Sequence, residues 1–329
     1  MSSRALPYVA SAGALAGLIA IAFAVGRYPV SLEELFSLST GQAVAPNVET
    51  VVMQVRGPRV AAALLVGAAL AAAGTAYQGM FRNPLVSPDI LGVSSGAALG
   101  AVLAILLSLG AVFMQLFAFA GGLAAVGLVY GIGARLRGHD PLLALVLTGV
   151  IIGTLLGSAI ALLKVLADPH NQLPAITFWL LGSLASISPA ELLVAAPLAL
   201  IGLAPMLLLR WRMNLLALPD DEARALGVDT VKMRTLVVAA ATLMTAAAVA
   251  VSGIIGWVGL LIPHAARLLV GPDFGRLLPL AMVLGAGFML AVDTLCRTVA
   301  PIEVPPGVLT ALIGTPFFLW LFALARRTW

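Results

Sequence analysis

The chain has 329 residues, 61% hydrophobic and 10% charged, with 18 Lys and Arg against 14 Asp and Glu. A soluble domain carries about a quarter charged residues, so this composition excludes a solvated globular surface and points to a lipid environment. The net charge of +4 sits singly in short loops rather than in the basic, aromatic-interleaved stripe that nucleic acid requires, and the lone Cys296 excludes an intrachain disulfide.

Ten apolar blocks read as candidate membrane spans, near 6–26, 58–80, 91–111, 113–134, 141–163, 189–209, 234–252, 254–270, 277–299 and 307–325. A hydrocarbon core about 30 Å thick needs roughly 18 or more such residues. The first block follows Arg4, exceeds a signal-peptide core and has no convincing cleavage site, so a retained span is expected. Between Arg27 and Arg56 lies a polar segment with Ser31, Glu33 and Glu34, expected to hold a short interfacial helix. Blocks three to five carry small residues at helical spacing: Gly92, Gly96 and Gly100, then Gly127 with Gly131, then Gly149, Gly153 and Gly157. In lipid, close backbone approach through such residues drives helix association, so one compact bundle is expected.

The external stretch from Asp168 to Ser183 includes Trp179 and holds His170 beside Asp168, where a solvated loop histidine is expected. The loop from Arg210 to Arg234 has a helix signature. Pro219 stands at a start, Asp220, Asp221 and Glu222 fill the first turn, Arg224 comes later and Gly227 stops the helix. Leu215, Leu216, Leu218 and Leu226 would face water there unless a partner covered them. The eighth block is short and glycine-rich, with Pro263, His264 and Arg267 near its end, and is expected to be a broken or partial helix inside the bundle. In the ninth, Asp293 and Arg297 are spaced to pair on one helix face.

Loop charges give the orientation. With ten spans, one side collects thirteen basic residues, from Arg4 to Arg327, and the other only Arg27, Arg56, Arg59, Lys164 and Arg297. The basic side is cytoplasmic by the positive-inside rule, placing both termini inside. The fold class expected is an all-α polytopic bundle forming a single transmembrane domain over 1–329.

Enzymatic chemistry is poorly represented. Gly92-Val93-Ser94-Ser95-Gly96 matches a nucleophile-elbow pattern but opens an apolar helix instead of following a strand. His139, His170 and His264 are scattered, without a metal-ligand spacing. The only lysines, Lys164 and Lys232, stand outside any G-K-[ST] sequence, so the chain has no P-loop and ATP hydrolysis would fall to another subunit.

Several long motifs occur in order. They begin with Arg56-Gly57-Pro58-Arg59, Gly67-Ala68-Ala69-Leu70, Gln78-Gly79, Arg82-Asn83-Pro84-Leu85 and Ser87 to Ala97. They continue with Gly256 to His264 and Arg267, Asp293 to Arg297, and Pro305 to Phe318. Across essentially the whole chain this pattern resembles the FecCD permease family of type II ABC importers, which serve iron-siderophores, haem and cobalamin. The resemblance implies a ten-helix permease of a bacterial inner membrane, forming a homodimer with the path at its interface. Two cytoplasmic ATP-binding subunits would carry the ATP and Mg, this chain holding no cofactor, and a periplasmic substrate-binding protein would dock outside.

By the same resemblance, Arg56, Arg59 and Arg297 match outward arginines that receive the binding protein. Leu215 to Gly227, including Leu218, Asp221 and Leu226, matches the coupling helices seated on the ATPase. The cytoplasmic gate corresponds to Pro141-Leu142-Leu143, apolar where the family's cobalamin importer has small hydroxyl residues, and such a constriction closes by dewetting. The implied mechanism is alternating access, with ferric siderophore or haem ahead of cobalamin as cargo. An ion-gradient-driven secondary transporter is the alternative; it needs ionisable residues near the midplane, and only Asp293 approaches that.

Overall fold

The computed structural model describes residues 5–135 and 141–325, so Arg4, Arg137, His139, Arg326 and Arg327 of the sequence reading lie outside the described residues. The helices are α1 (Leu6–Ala24), α2 (Leu32–Ser39), α3 (Pro46–Thr50), α4 (Gly57–Met80), α5 (Val93–Leu106), α6 (Ala111–Gly133), α7 (Pro141–Leu166) and α8 (Gln172–Leu180). They continue as α9 (Pro189–Leu208), α10 (Arg210–Leu215), α11 (Asp220–Ala225), α12 (Thr230–Ser252), α13 (Val258–Val270), α14 (Phe274–Thr298) and α15 (Pro306–Ala325). Among the described residues there is no strand, and seven helical segments are long and apolar enough to cross a membrane.

The expected short helix after the first block is α2. Its start is fixed locally, because the Ser31 hydroxyl accepts from the Glu34 amide while the Glu34 carboxylate accepts from the Ser31 amide, the reciprocal capping box. The second block is longer than expected. Through a π-helical turn at Val51–Arg56, α3 runs into α4, so one helical segment spans Pro46–Met80.

Residue size decides which helices lie at the centre. Buried residues make up 78% of the span through α4, 72% of α12 and 61% of α14, against 6% of α1 and 17% of α7. The central helices are rich in alanine and glycine, whereas α1, α6 and α7 carry Leu, Ile and Phe outward. Lipid tails are as apolar as leucine, so small residues gain more by letting backbones meet. A Cβ on Gly67 would lie 2.2 Å from the Gly285 carbonyl oxygen, and one on Gly96 would lie 2.3 Å from that of Gly121. These contacts join α4 to α14 and α5 to α6. Gly127, Gly131 and Gly157 have nothing within 4 Å of such a Cβ, so those parts of the expected registers pack against nothing in this subunit. Buried hydroxyls on the central helices are satisfied internally: Thr75, Thr242, Thr245 and Ser252 each donate to the carbonyl four residues back.

Two of the expected spans are short. At 1.5 Å per residue, the 14 residues of α5 and 13 of α13 reach only about 21 and 20 Å. The eighth block is therefore the partial helix expected. Before α13 the chain is non-helical, with Gly253 at φ 67° and Trp257 at φ 72°. That segment is held inside the protein. Ser183 N–H donates to the Ser252 carbonyl at 2.8 Å, Gly307 N–H to the Leu181 carbonyl at 3.0 Å, and the Trp257 ring meets Phe318 edge-on at 6.3 Å. Backbone that is not helical at membrane depth survives only with such cover.

Candidate functional site

The candidate residues gather at the two ends of α4, which its 24 residues hold about 36 Å apart. The first end contains Arg56, Arg59 and Arg297, expected from the sequence to form an outward docking patch, and the structure buries all three. The three residues are only 4, 6 and 8% exposed. Arg59 Nε donates to Asp293 Oδ1 at 2.9 Å, and its Nη1 and Nη2 donate to Glu303 Oε1 and Oε2 at 2.9 and 3.2 Å. Asp293 is fully buried and also pairs with Arg297 Nε at 3.3 Å, as the i,i+4 spacing anticipated.

Most of the remaining donors go to the end of α1 and the turn after it, one Arg297 nitrogen also reaching Thr294 Oγ1 at 3.2 Å. Arg56 donates to the carbonyls of Phe23, Ala24 and Tyr28, and Arg297 to those of Ala22 at 3.2 Å and Val25 at 3.4 Å. The last four carbonyls of a helix have no partner within it and carry its negative dipole end. The last turn of α1 has no basic residue of its own, so two distant arginines supply that charge. Burial follows from this employment. Three guanidinia against two carboxylates leave the cluster one net positive charge.

At the other end, Asp220 opens α11 and joins three elements. Arg234 of α12 donates to both of its oxygens, at 2.8 and 2.6 Å, and Arg82, just past α4, donates at 3.0 Å. The Arg234 fork, with the charges of Arg82 and Arg224 behind it, holds the Asp220 carboxyl below the usual carboxylate range. Arg82 adopts φ 52°, an uncommon conformation for a non-glycine residue. The helix signature reads correctly here: Pro219 is the N-cap, the acids fill the first turn, Arg224 sits in the last, and Gly227 follows at φ 82°. The leucines divide. Leu216 is 1% exposed and belongs to the protein's own core, Leu215 and Leu218 are half-buried, and only Leu226 of the four stays open, as do Trp211 of α10 and Val231 of α12. Asp221, Glu222 and Arg224 are exposed. Asn214 fixes α10 to α14, its Oδ1 accepting from Phe274 N–H at 2.7 Å.

Sequence reasoning gave no role to Arg82, Arg234, Asn214 or Glu303, whose partners are distant in sequence. In the expected gate, Pro141 opens α7 and its side chain lies outside the described residues, Leu142 packs against the core, and Leu143 is exposed. Between the ends, a cleft of about 760 Å³ is lined by Leu180, Ile254, Trp257, Ala311, Thr315 and Leu319, among others. The stretch after Asp168 proves to be helix α8, tied to α5 by Gln172 Nε2 donating to the Leu106 carbonyl at 3.0 Å. His170 is an exposed side chain, and among the described residues no group of His, Cys, Asp and Glu could hold a metal ion.

The FecCD transport family model matches residues 14–323, covering both ends and the cleft. The chain belongs to the FecCD transport family. Within it, the chain is 41% identical over 304 residues to the molybdate import system permease protein MolB of Haemophilus influenzae, covering 91% of this chain and 89% of that protein. It is 43% identical over 279 residues to the cobalamin import system permease protein BtuC of Halobacterium salinarum, covering 84% and 74%. A solved structure described as an inward-facing conformation of a metal-chelate type ABC transporter superposes with TM-score 0.88 at 38% identity, covering 96% of this chain and 98% of that one. The FecCD motifs quoted above fall at the ends of α4, the entry to α5, the break before α13 and the start of α15. These are the places where helices stop or approach most closely.

Proposed function

We propose that this chain is the permease subunit of an ATP-driven importer that carries a metal-chelate or related metal-oxyanion nutrient into a bacterial cytoplasm. The observation that carries this reading is the FecCD match across residues 14–323. Its relatives point to the cargo class, one being a molybdate import permease and another a cobalamin import permease. Ferric siderophore and haem remain within that class by the family resemblance.

In this reading the chain crosses the inner membrane about ten times with both termini inside, the short α5 and α13 being completed by non-helical backbone. The Asp220 end faces the cytoplasm, where 13 of the 18 basic residues fall. Two copies form a homodimer around the path, and the exposed apolar faces of α7, α8 and α15 suit that contact. Two ATPase subunits holding ATP and Mg seat on α10 and α11, where Trp211 and Leu226 stay 66 and 60% exposed. A substrate-binding protein meets the Arg59 end, and Pro141, Leu142 and Leu143 close the inner mouth. ATP-driven closure of the ATPase pair moves α11, and Asp220 passes that motion to α4 and α12. An apolar cleft without a metal-ligand set suits a chelate that must leave again, tight binding belonging to the external protein.

A gradient-driven transporter would need a titratable group free to change charge at the midplane. Asp293 is instead clamped between two arginines near one end of α14. The test is uptake into proteoliposomes holding this chain with its ATPase and binding-protein partners, using labelled ferric siderophore, hemin, cobalamin and molybdate. ATP-dependent uptake of one of these is expected; uptake by this chain alone under a proton or sodium gradient would overturn the reading.

A further inference from the structure

The arginine cluster poses a problem for any docking role, because its most forked member is already occupied. Arg59 divides its donors between two carboxylates of very different character. Asp293 is fully buried and takes Nε, sharing itself with Arg297. It is a fixed structural partner, since breaking a buried pair strands a charge at high cost. Glu303 takes the two terminal nitrogens, one oxygen to each, in the planar bidentate geometry by which guanidinium recognises carboxylate. Its side chain is 36% exposed, against 7% for Arg59. It stands on the linker between α14 and α15, a non-helical segment bracketed by Pro301 and Pro305.

We propose that Glu303 is an internal stand-in for a partner's carboxylate. It holds the Nη1–Nη2 fork of Arg59 while no partner is bound, and an acidic side chain of the substrate-binding protein displaces it on docking. This rests on the docking reading above and explains how a residue 6% exposed can serve it. The occupant is a carboxylate on a protein surface for two reasons. The fork already accepts that group, and the cluster's one net positive charge attracts an acidic face. Exchanging one carboxylate for another leaves the buried Arg59–Asp293–Arg297 chain intact, so the fork is never stranded. It also keeps docking weak enough to reverse in each cycle, because every docking event must first release Glu303.

The experiment titrates the assembled transporter in nanodiscs with the substrate-binding protein that stimulates its ATPase, at low salt and again near 1 M salt. Glu303→Gln removes the competing charge while keeping size, and is expected to tighten binding about 2- to 5-fold, the range of a partly exposed ion pair. Long-range attraction is screened at high salt, where the Debye length is about 3 Å, so a gain due to displacement persists there. Arg59→Lys keeps the charge beside Asp293 but cannot bind a carboxylate bidentately. It is expected to weaken docking and to erase the gain from Glu303→Gln in the double variant. The stand-in role is overturned if Glu303→Gln binds no tighter, if its gain vanishes at high salt, or if the gain survives unchanged with Arg59→Lys. If Arg59→Lys alone docks like wild type, the docking reading of this end fails instead.

Discussion

Asp220 offers the clearest quantitative test of how the loop helix is tied to the membrane core. Asp220→Asn keeps the side chain's size and removes its charge. The Arg234 fork, at 2.8 and 2.6 Å, involves an arginine side chain only 10% exposed, whereas Asp220 itself is 30% exposed. A hydrogen bond to a charged group contributes about 1.5–3 kcal/mol. The two bonds share one fork and are partly screened, so together they are assigned about 2 kcal/mol. The Arg82 pair is about a third exposed on both sides and adds about 0.5 kcal/mol. The amide oxygen that replaces the carboxylate keeps one acceptor, which leaves an expected loss of about 2 kcal/mol. That is roughly a 30-fold rise in the population with α11 detached from α12, at 1.4 kcal/mol per tenfold.

Hydrogen exchange of backbone amides 220–229 reads this directly, with the α5–α6 pair as internal reference. Exchange about 30-fold faster in that segment is expected, and wild-type rates there would refute the stapling role. The pH dependence has a definite sign. The Asp220 carboxyl is lowered by its arginines, so its stabilisation is fully present above the ordinary carboxylate value. It is lost only as pH falls through the lowered value, and the wild-type segment should exchange with unchanged protection between pH 5 and pH 8.

Two further outcomes are expected. Gly67→Val should cost about 1–3 kcal/mol through overpacking, because its Cβ alone would sit 2.2 Å from the Gly285 carbonyl oxygen; a lower thermal midpoint in detergent checks this, and Gly127→Ala, with open space around it, should leave the midpoint unchanged. Leu226→Asp combined with Trp211→Asp should release a co-purifying ATPase subunit while the permease elutes normally. Leu216→Asp, by contrast, should unfold the loop, since that side chain is 1% exposed.

These contrasts mark what the sequence could convey. Helix α11 was readable because its signals are local: a proline start, acids in the first turn and a glycine stop all act within eight residues. The same holds for the pairing of Asp293 with Arg297, one helical turn apart. The burial of Arg56 was not readable because its partners are carbonyls at the end of α1 and in the turn after it, about thirty residues away, and nothing near Arg56 announces a helix end in need of donors. The leucines of the loop were grouped by type, yet which of them turns inward depends on how α10 lies against α14, a contact set by Asn214 across 60 residues. The short α5 was overestimated because hydropathy counts apolar residues whether or not they are helical, whereas the glycines and Pro263 of the eighth block announced its break locally.

The C-terminus of α1 carries a consequence for the order in which the molecule can be completed. Its carbonyls are answered by Arg56, which follows soon after, and by Arg297, 275 residues downstream of Ala22. Two more ties close loops of similar length, Tyr8 to the Arg276 carbonyl and Arg27 to that of Pro301. During synthesis the first span is therefore made at the outset yet secured among the last. Until α14 is in place it has the Arg56 clasp, light packing against α2 and α4, and the lipid to hold it. The ring closes when the ninth apolar block meets the first, so the last stretches of the chain decide whether the earliest one is seated.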